Sequence, residues 1–433
     1  MLIIHKAIVP WYNRKKMHEE EFICLHIETA LSTISKKNSG GSMLELKGKR
    51  NSAIVYAEKI DRETKPQLAE LLRDVAFTDS KIRIMPDTHA GKGYVVGLTM
   101  TINRRLAPSM VGMDIGCGME TVVFEEKDVD LQKLDELIHT RIPSGSGIHD
   151  NAGVFELSKL RCFSKINAKR AYRSIGTLGG GNHFIELGRD DDGTLYLVIH
   201  SGSRQLGSDV AKHYQDAAYR YQCKKSRKNI RTASNERYES DGTYSTKSRV
   251  KKTVGVPYER AVLDGELFND YIHDIAIVQE FADLNRKTMA AIISGGMGLH
   301  VKDSFANVHN YVDTQRMILR KGAVSAKQGE RLIIPLNMRD GALICTGRGN
   351  PDWNFSAPHG AGRVCSRTDA KYAYSVEAFQ EQMTGIYTTT ANAGSIDECP
   401  MAYKAPDMII SAIGDTVCIE KTIRPIYNFK ACK

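Results

Sequence analysis

Residues 183–200 read HFIELGRDDDGTLYLVIH. Two strand-like runs, HFIEL and LYLVIH, flank Asp190, Asp191, Asp192 and Gly193, residue types that favour tight turns, so the stretch predicts an antiparallel hairpin. If Asp191 and Asp192 form the turn, His183 lies directly opposite His200, with Cβ atoms about 4.5–5.5 Å apart. If Asp192 and Gly193 form it, His200 faces Ile185, which shares a face with His183, and the imidazoles become diagonal neighbours. Only an odd-length shift separates them. Each histidine alone reads more readily as a hydrogen-bonded core residue; their pairing across one hairpin, together with the motif that follows, favours ligands.

That motif is VGMDIGCGM, residues 111–119. Asp114 and Cys117 stand three apart, and Gly112, Gly116 and Gly118 remove side-chain bulk and permit tight turns, so both donors can reach one ion. With His183, His200 and His309 they make a mixed carboxylate, thiolate and imidazole set, which would suit zinc. His359 stands apart in SAPHGAGRVCSR, where Gly360 and Gly362 let backbone amides approach a phosphate, Arg363 and Arg367 offer paired donors, and a helix is expected to start. A histidine beside metal ions is a competent nucleophile toward phosphorus. The chain has no GxxxxGK[ST] loop, no HExxH and no KxDG, so a phosphate-activating activity needs another nucleophile than those motifs supply.

Outward from the hairpin, β-branched runs such as KIRIMPD and GYVVGLTMTI alternate with the helical patterns GSDVAKHYQDAAYRYQ and DGELFNDYIHDIAIVQEFADLNRKTMAAII. In the last, Leu267, Tyr271, Asp274, Ile275, Val278 and Phe281 recur at three- and four-residue steps, marking a core face and leaving His273 structural. The expected fold is mixed α/β, a single domain over residues 43–433. No internal repeat or linker divides it, and the candidate ligands span two hundred residues.

Of the 433 residues 42% are hydrophobic, enough for a sizeable core. No apolar run approaches the roughly 18 residues of a membrane helix, and the nine cysteines lack a CxxC pair, which implies a cytoplasmic protein with reduced thiols. Ten of the Lys and Arg residues fall between Lys224 and Lys252. That segment reads equally as a solvated loop or frayed helix end and as a nucleic-acid contact. Residues 1–42 end in SGGS, and Met43 is the expected initiator, with the preceding codons a purine-rich ribosome-binding sequence; a GGAGG-like stretch before codon 43 in the DNA is the check. The bland alternative is an ordinary N-terminal extension.

Along essentially all of residues 43–433 the chain resembles the RtcB family of GTP-dependent RNA ligases. The resemblance rests on MPDTHAGKG, VGMDIGCGM, GTLGGGNHFIEL, HSGSRQLG, FADLNR, VHNYV, RKGAVSA, HGAGRVCSR and PMAYK. It implies β-sheets flanked by helices around a central metal cleft, two manganese ions, GTP, and the joining of an RNA 3′-phosphate or 2′,3′-cyclic phosphate to a 5′-hydroxyl, in RNA repair or tRNA splicing. It makes Cys117 the bridge between the ions, with Asp114, His183, His200 and His309 completing the pair, and His359 the acceptor of GMP. Asn182, Glu186, Asn310, Tyr403 and Lys430 look like nucleotide contacts, Glu186 and Lys430 facing guanine. Arg204, Arg363 and Arg367 look like RNA or phosphate contacts, and Asp87 like a participant in strand joining. The expected partners are RNA, GTP and an activating protein, with no membrane; the oligomeric state and physiological RNA stay open.

One departure bears on the nucleotide. Where the family has a small-residue PGSMG-type segment, this chain has Pro335, Leu336, Asn337, Met338, Arg339 and Asp340, which puts the contacts to GTP there in question. Two rival readings, a metal-dependent phosphohydrolase and a non-catalytic RNA-binding relative, do not need His359, Glu186 and Lys430 together with every metal ligand.

Overall fold

The computed structural model describes residues 32–38, 41–235 and 256–431. Its strands are β1 Ser32–Asn38, β2 Gly41–Lys47, β3 Ser52–Val55, β4 Ile82–His89, β5 Val96–Thr101, β6 Gly118–Phe124, β7 Phe184–Arg189 and β8 Leu195–Ser201. They continue as β9 Val301–Val308, β10 Asn310–Asp313, β11 Ile318–Lys321, β12 Ala323–Ser325, β13 Arg331–Asn337, β14 Gly341–Gly347, β15 Ser356–Pro358 and β16 Val417–Lys430. Two seven-stranded sheets result, in the orders β1-β2-β3-β4-β5-β11-β10 and β13-β14-β16-β7-β8-β6-β9, and β12 pairs with β15. The class is mixed α/β, as the alternating patterns imply. The β1–β2 ladder runs across residue 43, with Lys36 opposite Met43.

The runs KIRIMPD and GYVVGLTMTI supply β4 and β5, and the two helical patterns lie in helices Arg204–Asn235 and Gly265–Met297. Of the basic stretch, Lys224–Asn235 belongs to the first of these helices, and residues 236–252 lie outside the described residues. Strands β6 and β8 are buried along their whole length, because helices cover one face of their sheet and the curled strands β13 and β14 the other. Such two-sided burial is why LYLVIH is almost continuously apolar.

Helix Gly265–Met297 ties the two halves together. Its first part packs Phe268, Tyr271, Ile275, Val278 and Phe281 into the core beneath the first sheet. Its last part packs Met289, Ala290 and Ile293 into the core beneath the second. At 1.5 Å per residue it reaches both, and the residues between the two apolar stretches, Asn285 and Arg286, are wholly buried polar groups.

The hairpin forms, in a register other than either one expected. Phe184 stands opposite His200 and Arg189 opposite Leu195, the odd-length shift. Asp190 is the cause: its Oδ1 accepts the amides of Asp192 (3.0 Å) and Thr194 (2.9 Å), and its own amide donates to Thr194 O. That Asx arrangement makes a three-residue turn, Asp191 to Gly193, with Gly193 in the left-handed region at φ +77°.

Candidate metal centre and nucleotide pocket

The register shift does not part the two histidines, because His183 precedes the strand and is not bound by its pleat. Its ring lies 5.2 Å from that of His200 between centroids. His183 Nδ1 meets Leu178 O at 2.8 Å and His200 Nδ1 meets Asn182 O at 3.1 Å. A carbonyl can only accept, so in each ring Nδ1 carries the hydrogen; His200 Nε2 then turns its lone pair inward, while His183 Nε2 lies 2.9 Å from Asp114 Oδ2. Those two nitrogens meet the same thiol: Cys117 Sγ is 3.5 Å from His183 Nε2 and 3.2 Å from His200 Nε2. Two donor groups result, Asp114–Cys117–His183 and Cys117–His200–His309, each with its donor atoms within 4.8 Å of one another. Cys117 is the member they share.

The protonation states suit a cation. Burial, reinforced by neighbouring imidazoles, holds His200 and His309 well below the usual histidine range, so both stay neutral. Burial alone would raise Asp114, but His183 beside it brings the carboxyl down to about 2. Burial and then Asp114 push the Cys117 thiol well up; a dication held there would reverse that balance and favour the thiolate.

Backbone geometry holds the ligands. Gly202 passes so close to the Asp114 carboxylate that any Cβ there would collide with it. Arg286 donates from Nη1 to Gly116 O (2.7 Å) and Ser201 O (3.0 Å), the neighbours of Cys117 and His200. Asn285 accepts from Gly176 N and Thr177 N and donates to Thr177 O and Gly202 O, at 2.8–3.1 Å. Two adjacent side chains of one helix thus satisfy three loops that bear or orient ligands.

His359 stands next to this cluster, its ring 5.0 Å from that of His309 between centroids. Asp87, wholly buried, accepts through Oδ2 from His359 Nδ1 (2.6 Å) and from the His359 amide (3.2 Å). The carboxylate therefore fixes the ring and its tautomer and leaves the lone pair on Nε2. The helix expected within this motif begins at its last residue, Arg367, capped by Ser366.

One pocket opens on His359 and His200. Asn182, Phe184, Glu186, Arg363, Arg367, Glu398, Tyr403 and Lys430 line it, with residues 335–338 as a lid. Burial pushes the Glu186 carboxyl up to about 8, against the pull of its Asn428 hydrogen bond (2.9 Å) and of Lys430. A second opening on the other side of the cluster is lined by Asp114, His183, Arg170 and Arg204. Asn182 lines both.

The sequence carries the tRNA-splicing ligase RtcB family model over residues 68–162 and 147–431. The chain belongs to the RtcB family. It is 30% identical over 412 residues to the RNA-splicing ligase RtcB of Escherichia coli K12, covering 86% of this chain and 95% of that protein. It is 26% identical over 460 residues to the tRNA-splicing ligase RtcB of Aeropyrum pernix, covering 83% and 90%. A third relative, RNA-splicing ligase RtcB of Mycobacterium tuberculosis, is 25% identical over 430 residues, covering 78% and 94%.

Against the RtcB pattern the structure gathers most of the expected residues. The five expected ligands, His359, Asn182, Glu186, Tyr403, Lys430, Arg363 and Arg367 surround one cluster and one pocket. Arg204 faces the second opening, in the left-handed region at φ +58°, and donates to Gly145 O and Thr177 Oγ1. Asn310 lines neither opening; its Oδ1 receives the Gly322 amide at 3.2 Å. Arg363 spends all three donor nitrogens inside the protein, on Cys365 O, Glu398 and Asp397 O. Asp87 sits behind His359.

In the departing segment, Asn337 Oδ1 accepts the amides of Arg339 and Asp340, and its Nδ2 donates to Asp340 Oδ2 (2.7 Å). Leu336 and Met338 are buried. The lid therefore offers the pocket backbone and apolar surface, and Asn337 closes its own turn. Glu398 was not singled out in the sequence; the signal was an acid beside PMAYK, a motif whose Tyr403 hydroxyl needs a buried acceptor.

Proposed function

We propose that the chain seals RNA 3′-phosphate or 2′,3′-cyclic phosphate ends to 5′-hydroxyl ends through a guanylate carried on His359. The observation that supports it best is the placement of the Asp87–His359 pair between the ligand cluster and the pocket. His359 Nε2 attacks the α-phosphorus of GTP, the bond to pyrophosphate breaks, and pyrophosphate leaves. An RNA 3′-phosphate oxygen then takes the GMP from the histidine, and the 5′-hydroxyl attacks the activated 3′-phosphorus, releasing GMP. A 2′,3′-cyclic end first takes up water to become the 3′-phosphate. Splitting one difficult displacement in this way needs a nucleophile that is also a leaving group, which imidazole is.

Asp114, Cys117 and His183 would hold one manganese ion and Cys117, His200 and His309 the other, neutralising phosphate charge. Asp87 orients His359, Glu186 and Lys430 grip the base, and Arg204 meets the RNA at the second opening. The test uses GTP labelled on its α-phosphate, with manganese. The protein is expected to take up acid-labile label, and His359→Ala to take up none while keeping its metal and still sealing RNA that already bears a 3′-terminal guanylate. Label on His359→Ala, or hydrolysis of RNA ends without label on the wild type, overturns the reading.

A further inference from the structure

Glu398 is 1% exposed, yet four donors from three separate segments converge on it. Arg363 Nη1 approaches at 3.1 Å and Arg367 Nη2 at 2.8 Å, from the segment that follows His359. The Tyr403 hydroxyl donates at 2.6 Å, and Lys430 Nζ, from the end of β16, lies at 2.9 Å. All four of these residues line the nucleotide pocket. Burial alone would raise the Glu398 carboxyl, but Lys430, Arg367 and Arg363 bring it down to about 2, so it is an anion at any working pH.

We propose that Glu398 is a positioning residue for nucleotide transfer: a buried anion that fixes Lys430 and Tyr403 on the wall of the pocket that Glu186 and His359 also line. The assignment rests on reading this pocket as the guanylate site. The two guanidiniums have a second support, since Arg363 also donates to Asp397 O and Arg367 to Asp397 Oδ2 (3.0 Å). They anchor the carboxylate to its own segment. Tyr403, five residues on, and Lys430, from the end of β16, both meet Oε2 of Glu398, and Lys430 Nζ also reaches Asn182 O at 3.2 Å; the carboxylate is thus the charged partner that Lys430 and Tyr403 share.

A competing account is electrostatic. Three cations face two anions, Glu398 and Asp397, leaving one positive charge toward a polyphosphate; removing Glu398 leaves two. If Glu398 only tempers that charge, its loss strengthens GTP binding. If it positions, its loss weakens binding in spite of the added charge. The two accounts therefore predict opposite signs.

The experiment measures KM for GTP and the saturating rate of label transfer to the manganese-loaded full chain. Glu398→Gln is expected to raise KM about 10–100-fold and to change the saturating rate less than about threefold, because the nucleophile and its partner are untouched. Lys430→Met should raise KM similarly, and the double variant should be no worse than either single one, the mark of two residues acting as a unit. A KM that is unchanged or lower, or effects that add, overturns the assignment. Should Glu398→Gln fail to fold, as a broken buried pair allows, Glu398→Asp keeps the charge and withdraws it by one methylene. It should raise KM about 3–10-fold with its melting temperature within about 3 °C of wild type; an unchanged KM overturns the assignment. A wild-type chain that takes no label from GTP would show instead that the guanylate reading had failed.

Discussion

The candidate metal cluster and the pocket proposed for the nucleotide share a wall, residues 182–186, and are built by different means. In the cluster the ligands sit on turns and strand ends whose backbone is satisfied by backbone or by Asn285 and Arg286, so positions are set by the chain itself. In the pocket the functional side chains come from distant segments and are held by charge, mostly on Glu398. A site fixed by backbone tolerates loss of neighbours but not of a ligand. A site fixed by side-chain charge loses several positions when one anion is moved.

Cys117→Ser should break the first half of that comparison most severely. A neutral hydroxyl replaces the donor common to both groups, so metal content measured by mass spectrometry should fall, with label transfer and joining both reduced about 100-fold or more. Near-normal turnover with manganese would remove the bridging role. Asp87→Asn probes the border between the two regions. It should slow label transfer about 100-fold by releasing the His359 tautomer, with KM for GTP and metal content unchanged; a fall in metal content would make the pair part of the cluster.

The pH dependence of GTP affinity sharpens the second half. Burial keeps Glu186 protonated up to about 8, above its ordinary 4.5, whereas a base presenting N–H donors needs the carboxylate. GTP affinity should therefore rise by up to about tenfold per pH unit below 8 and level off above it, and Glu186→Gln should flatten the slope. Stability runs the other way: with a folded pKa above the unfolded one, Glu186 favours the fold most below about 4.5 and that contribution is lost as pH rises through 8. Titration calorimetry and thermal melting against pH read both signs. The smallest effect is expected of Asn337→Ala, which loses three hydrogen bonds in its turn, about 1–3 kcal/mol in melting stability, but should change KM for GTP less than about threefold, since its polar atoms are spent on Arg339 and Asp340. A larger change in KM would make the lid a direct reader of the nucleotide.

How legible each region was follows from the same difference. Asp114, Cys117 and the histidines are rare chemical types in glycine-rich turns, so residue type and spacing exposed them. The hairpin was legible as an element and its register was not, because one side chain, Asp190, decided the turn length. That His183 and His200 still meet follows from His183 lying outside the strand, which pattern alone does not reveal. Glu398 carried only the weak mark of an acid near PMAYK: its four partners are brought together by folding, and an acid two residues before Pro400 looks like any surface turn. The contact of Asp87 with His359 was hidden likewise by their separation of 272 positions in the chain.

The chain order of one feature has a consequence for synthesis. Asp114, Cys117, His183 and His200 all leave the ribosome before helix Gly265–Met297, the element whose Asn285 and Arg286 pin their loops, and before His309. A nascent chain therefore displays four metal-binding side chains with no shaped cavity, and in that state raw affinity, which favours copper and zinc over manganese, would choose the ion. On the proposed reading, discrimination by geometry would begin only when the late helix arrives, so the choice of ion would fall after translation of the second half rather than during the first.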